Sequence, residues 1–207
     1  MAIKAKTSFS LKDQLFNAQS LGKLADALDN TQLRYNRKEF EREILIAFPK
    51  LELKARIDWI VTVLANHLPD NYEAALKILE DALPPPLDPK KTDDDFGEFI
   101  WTVPGEYAAR YGCTDKHLKK SLAFLRKSTM RFSAENAIRP FLRDYPEKTM
   151  AFVLTCATDK NYHVRRLASE GIRPFLPWSE RVDIEPKKII EILELLKHDN
   201  TRYVTRS

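Results

Sequence analysis

The feature that most limits what this chain can fold into is a corner it writes twice. Residues 138–142, Ile-Arg-Pro-Phe-Leu, return unchanged at 172–176, and a glutamate stands just before each copy, Glu135 and Glu170. A second echo is spaced differently: Asp159, Val164 and Arg166 recur as Asp199, Val204 and Arg206. The first echo is displaced by 34 residues (138 to 172) and the second by 40 (159 to 199). Self-similarity at about 34–47 residues in helical sequence marks stacked helix pairs, each too small to bury its apolar face without a neighbour.

The intervening sequence is helical in pattern. In "LELKARIDWIVTVLANHL", Leu53, Ile57, Ile60, Leu64 and Leu68 recur at steps of three and four and make one apolar stripe. "KEFEREILIAF", "NYEAALKILEDAL", "DKHLKKSLAFLRKS" and "PKKIIEILELLKHD" read the same way. Plausible N-caps are Asp70 or Asn71, Thr114 or Asp115, and Ser133, the last opening a helix through "AENAIRPFL". No segment alternates over more than a few residues, so essentially no sheet is expected. The tetratricopeptide pattern is absent. Asp-x-x-x-x-Val-Arg at the start of a second helix is HEAT-like, with a tight turn at the aspartate, valine facing the core and arginine reaching along the neighbouring repeat. The expected fold is an all-α, HEAT-like helical-repeat solenoid with a concave face for a long ligand. Residues 1–82 would form an N-terminal helical cap, 83–95 a loop that Pro84-Pro85-Pro86 keeps from being helical, and 96–207 the basic repeats, all in one domain.

Composition excludes several functions. Five scattered glycines, with neither GxxxxGK[ST] nor GxGxxG, give no support to a phosphate-cradling loop. No apolar run approaches the roughly 20 residues that span a bilayer, and the first residues lack the pattern of a signal peptide, so no membrane association is expected. Cys113 and Cys156 lie far apart, and His67, His117, His163 and His198 share no ligand spacing with them or one another, so no metal site is expected. Two reduced thiols fit a cytoplasmic protein. The charge is lopsided: residues 1–95 hold 14 basic and 16 acidic side chains, whereas 96–207 hold 20 and 14, and 11 of the 15 arginines fall in the second part. An arginine-weighted half suits phosphate contacts, and an ordinary solvated face of ion pairs explains it equally well.

Within this basic half, "NYHVRRLASEGIRPF" reads as a helix from Tyr162 to about Gly171. Val164, Leu167, Ala168 and Gly171 would line its core face, with His163, Arg166 and Glu170 opposite. Arg166 and Glu170 could simply be an i, i+4 ion pair worth about 0.3–0.5 kcal/mol. The second glutamate before the upstream corner weakens that reading, because two acids on neighbouring repeats would face a common groove.

"VRRLASEGIRPFLPW" and "IRPFL", together with "LFN", "LELKARIDWIV" and "HLPDNYEAALKIL" upstream, resemble the bacterial HEAT-like-repeat DNA alkylation-repair glycosylases, and specifically the AlkC branch of the AlkC/AlkD group. The resemblance covers roughly residues 11–207. It implies hydrolytic excision of cationic N3-alkylated purines, chiefly 3-methyladenine, from double-stranded DNA without base flipping, by a monomer using no cofactor. It implies catalytic roles for Glu135, Glu170 and Trp178, and it places Arg166 against the DNA near the lesion. Arg165, Arg173 and Arg139 are further candidates for DNA contact, the alternative for each being to hold the solenoid together. Trp178 could equally be a core residue.

The family pattern continues beyond "TRYVTRS" with further repeats, one supplying another active-site acid. Against it the chain is expected to lack C-terminal repeats, to leave Val204 exposed as its last apolar position, and to bind a shorter stretch of duplex. The rival reading is therefore a non-catalytic HEAT-repeat module that binds DNA or a protein.

Overall fold

The computed structural model describes residues 10–91 and 96–207. The acidic run 93–95 and the first nine residues lie outside the described residues. Every regular element among those described is helical. In chain order these are α1 (Leu11–Leu15), α2 (Ala18–Asp29), α3 (Arg37–Ala47), α4 (Leu53–His67), α5 (Tyr72–Asp81), α6 (Thr102–Gly112), α7 (Leu118–Ser128), α8 (Arg139–Asp144), α9 (Pro146–Ala157), α10 (Tyr162–Glu170), α11 (Pro186–Leu196) and α12 (Arg202–Thr205), with short 3₁₀ turns at Phe48–Lys50 and Phe99–Trp101. None is long and apolar enough to cross a membrane.

Successive helices pair and stack. α6 packs on α4, α5 and α7; α9 packs on α7, α8, α10 and α11; and α10 packs on α11 and α12. α4 shows why the sequence folds this way. The stripe residues Ile60, Leu64 and Leu68 are buried, and so are Val61 and Val63, because α3 covers one flank and α6 another. Asn17, Asn36, Asn71 and Asn161 each accept backbone N–H bonds at the starts of α2, α3, α5 and α10, filling donors that a helix start leaves open.

The aspartate echo has a clear structural cause. Asp159 accepts the backbone N–H of Asn161 at 2.8 Å and the Nε–H of Arg126 at 2.7 Å. Asp199 likewise accepts Thr201 N–H at 2.8 Å and Arg165 Nη2–H at 3.0 Å. In each case the aspartate closes the turn within one helix pair and is gripped by an arginine from the second helix of the preceding pair. Burial would raise the pKa of Asp199, but its hydrogen bonds from Arg165 and Thr201 outweigh that and hold the carboxyl below the usual range. Arg165 also donates to the carbonyls of Asp159 and Lys160. Its guanidinium thus joins one repeat to the next, the alternative that the sequence left open for it.

Three other expectations change. Val204 is buried, since α12 folds back on α10. His163 and Glu170 are buried too, so α10 is covered on more than its Val164–Leu167–Ala168 face, with the Tyr203 and His163 rings meeting edge to face at 5.2 Å. Most consequential, the two copies of the corner are not equivalent. Ile138–Leu142 begins α8 with Phe141 fully buried, whereas Ile172–Leu176 is a non-helical loop with Phe175 66% exposed. The first copy instead holds the second. Arg139, fully buried, donates Nε–H to Glu180 O at 2.6 Å, Nη1–H to Gly171 O at 3.2 Å and Arg173 O at 2.9 Å, and Nη2–H to Pro174 O at 3.2 Å. Arg139 therefore cannot reach DNA. Its guanidinium closes the loop between Gly171 and Glu180.

Candidate active site

Glu135 is not on a helix. Residues 133–138 form an irregular turn ahead of α8, because Pro140, at the helix start, cannot continue a preceding helix. Ser133, expected as a helix cap, serves the site instead. Its hydroxyl donates to Glu135 Oε2 at 2.8 Å and accepts from Arg166 Nη1 at 3.0 Å. Glu170 is the last residue of α10, and its side chain is only 9% exposed.

One guanidinium stands between the two acids. Arg166 Nη1 is 2.8 Å from Glu135 Oε2, and its Nη2 is 3.8 Å from Glu170 Oε1. The simple i, i+4 pair is thus the weaker of Arg166's two contacts, and the interaction between Glu135 and α10 is the closer. Burial alone would depress the Arg166 pKa, but Glu135, the Tyr203 hydroxyl and Glu170 raise it above the ordinary value. The Tyr203 ring also lies 4.8 Å from the Arg166 guanidinium carbon. Arg173 donates to Glu170 Oε1 at 2.7 Å and remains 46% exposed. Each carboxylate thus gives one oxygen to arginine. Glu135 Oε1 and Glu170 Oε2 accept no hydrogen bond from the described residues.

Trp178 is no core residue: it is 68% exposed. It sits third in a turn closed by Ser179 N–H to Leu176 O at 3.3 Å, with Pro177 second. Its φ of 64° is the only positive value among described non-glycine residues. Proline second and positive φ third is the pattern of a type II turn, where glycine is the usual third residue. A bulky ring in that conformation costs on the order of 1–3 kcal/mol and persists only where its surroundings impose it. Here they do. The Ser179 hydroxyl bonds Asn136 Oδ1, beside Glu135, and Arg143 Nη1 binds Glu180 Oε2 at 2.5 Å. The turn carrying Glu135 and the loop carrying Trp178 are therefore tied together, while Arg166 ties Glu135 to Glu170. All three expected catalytic residues belong to one connected neighbourhood. Phe175 adds a second exposed aromatic to the loop, with the Arg181 guanidinium carbon 4.6 Å from its ring centre.

Asn136, Arg143, Lys54 and Glu106 had no sequence motif to mark them, and Ser133 was marked only as a helix cap. Glu106 lies on α6, within reach of the charges of Lys54 and Glu180. Burial first, and then the Asp58 and Glu180 charges, push its carboxyl up to about 7, against the opposing pull of Lys54 and Arg110. The folded form therefore holds its proton more tightly than the unfolded chain. The stability that this proton confers is complete below the ordinary carboxyl range and is lost as pH rises through 7. Glu106→Gln is expected to stabilise the protein by about 1–3 kcal/mol at pH 8 and to give little gain at pH 5. Denaturant melts at the two pH values check it.

The fold and the site define an all-helical protein in which two acids share a largely buried arginine and a tethered loop carries an exposed indole. Among solved structures the chain is similar to Pseudomonas fluorescens alkylpurine DNA glycosylase AlkC bound to DNA containing an abasic site analog, with TM-score 0.80 and 30% identity, covering 96% of this chain and 53% of that one. It is also 31% identical over 198 residues to the uncharacterized protein YhaZ of Bacillus subtilis (strain 168), covering 94% of this chain and 52% of that protein. The chain thus spans about half the length of each of these relatives. No protein-family model matches it.

Proposed function

We propose that the chain acts in DNA repair as a glycosylase, hydrolysing the N-glycosidic bond of cationic N3-alkylated purines, 3-methyladenine foremost, in duplex DNA without extruding the base. The observation that carries this reading is the pair of carboxylates, Glu135 and Glu170, each with one oxygen that accepts no hydrogen bond from the described residues, linked through Asn136 and Ser179 to the loop that carries the exposed Trp178. The likeness to an alkylpurine DNA glycosylase supports it.

The chemistry suits such a site. An N3-alkylated adenine already carries positive charge and leaves without protonation, so the C1′–N9 bond breaks with both electrons passing to the departing, now neutral, purine. Positive charge is left on the deoxyribose. Open carboxylate oxygens stabilise that charge, and the π-face of the indole adds cation–π attraction. Water then adds at C1′ and gives its proton to a carboxylate. Acids facing a polyanion would otherwise weaken binding. Arg166 and Arg173 limit that cost by holding one oxygen of each acid and leaving the other directed at the sugar.

The pairing of both acids with arginine is also the observation that favours a second reading, a non-catalytic DNA-binding module in which the acids only brace the fold. Quantifying free 3-methyladenine released from methylated duplex by the protein and by Glu170→Gln separates the two. Release by the first and not the second fits the glycosylase. Salt-dependent duplex binding with no release from either fits the module.

A further inference from the structure

Trp178 lies far in sequence from the first helices, yet Lys54 on α4 reaches it. Lys54 Nζ donates to the Trp178 carbonyl at 3.1 Å across 124 residues of sequence. The carbonyl it holds belongs to the one described non-glycine residue in left-handed conformation. Arg139 fixes the two ends of this loop, and Ser179 and Glu180 are tied to Asn136 and Arg143, all on the α8 side. Lys54 is the contact made from the α4 side. It is an exposed lysine, and the groups around it include Glu106 on α6, whose carboxyl its charge influences.

We infer that Lys54 is a positioning residue: by holding the Trp178 carbonyl from α4 it keeps the left-handed turn closed and so fixes where the indole stands. The inference rests on the glycosylase reading for its catalytic consequence, though not for the contact itself. It makes the N-terminal helices part of the site. An exposed lysine beside a DNA-binding site has an obvious competing role as a phosphate contact, and the two roles leave different marks. A phosphate contact lowers affinity and makes its salt dependence shallower by about one charge. A positioning contact lowers the rate of the bound complex and leaves affinity and salt dependence alone.

The test uses Lys54→Met and Lys54→Arg in the full chain labelled with 5-fluorotryptophan, whose Trp178 ¹⁹F line is the one missing from Trp178→Phe. Lys54→Met is expected to shift that line and leave those of Trp59 and Trp101 in place. It should lower the single-turnover excision rate about five- to tenfold at unchanged affinity for an abasic-analogue duplex, with Lys54→Arg restoring both readouts. A Trp178 line that does not move overturns the inference. So does a shallower salt dependence with an unchanged rate, which would make Lys54 a phosphate contact. Should the wild-type protein release no base at all, the glycosylase reading fails, while the ¹⁹F line still decides whether Lys54 holds the turn.

Discussion

Glu170→Gln is expected to slow release of 3-methyladenine from alkylated duplex by about 10²–10³-fold, the usual loss when one preorganised electrostatic stabiliser is removed. The substitution keeps the shape of the side chain and lets its amide oxygen still accept from Arg173, now 2.7 Å from Glu170 Oε1. What it removes is the negative charge. Binding of duplex DNA should hold or tighten slightly, because the change takes an anion away from the face proposed to meet phosphates. Loss of rate with retained binding would place Glu170 in the chemical step. A rate within threefold of wild type would reduce the Glu135–Arg166–Glu170 contacts to structural ion pairs. The measurement is single-turnover release with excess protein, accompanied by a thermal melt to show that the variant is folded.

The second large effect concerns Arg139. Its guanidinium is fully buried and donates to four main-chain carbonyls, those of Gly171, Arg173, Pro174 and Glu180. Burial depresses its pKa, and the neighbouring Glu180 and Glu135 charges oppose that. Arg139→Met fills much of the same space but supplies no donors, leaving buried carbonyls unpaired. The expected cost is about 3–5 kcal/mol, the range seen when one side of a buried charged interaction is removed. The loss should be concentrated in residues 171–181, read as faster amide exchange or proteolysis there than in α4–α7. Because this loop carries Trp178, excision should fall even at temperatures where the variant remains folded. An unchanged melting temperature with an unaltered loop would show that the four bonds contribute little.

Much of the fold was legible in the sequence, for identifiable reasons. Helices such as α4, α5 and α11 carry their apolar residues at helical spacing, and packing only widened the buried stripe, as Val61 and Val63 show in α4. The Asp159 and Asp199 echo was visible because a tight turn and a fixed arginine partner constrain both the residue type and its position. The Ile-Arg-Pro-Phe-Leu echo misled for the opposite reason. An identical pentapeptide is too short to fix conformation. Where the upstream copy starts a helix, the downstream one follows Gly171 and is held in a loop by the first copy's arginine. The acids were found because each stands beside that corner. The residues that touch Glu135 and the Trp178 loop could not be read from spacing in those roles. Ser133, Asn136, Lys54 and Arg143 act through contacts between distant segments, made only once the helices stack. Glu106 carries no motif, and its shifted pKa arises from burial that only the packed α4–α6 contact creates.

The central claim is that open carboxylate oxygens stabilise a deoxyribose turning cationic. The most direct measurement compares the affinity of the protein for duplexes carrying a cationic pyrrolidine abasic analogue and a neutral tetrahydrofuran one. The wild-type protein should prefer the cationic duplex by at least about 10²-fold, as enzymes prefer mimics of their transition states. Glu170→Gln should lose most of that preference while binding the neutral duplex as well as before. Equal affinity of the wild-type protein for both duplexes would contradict the claim.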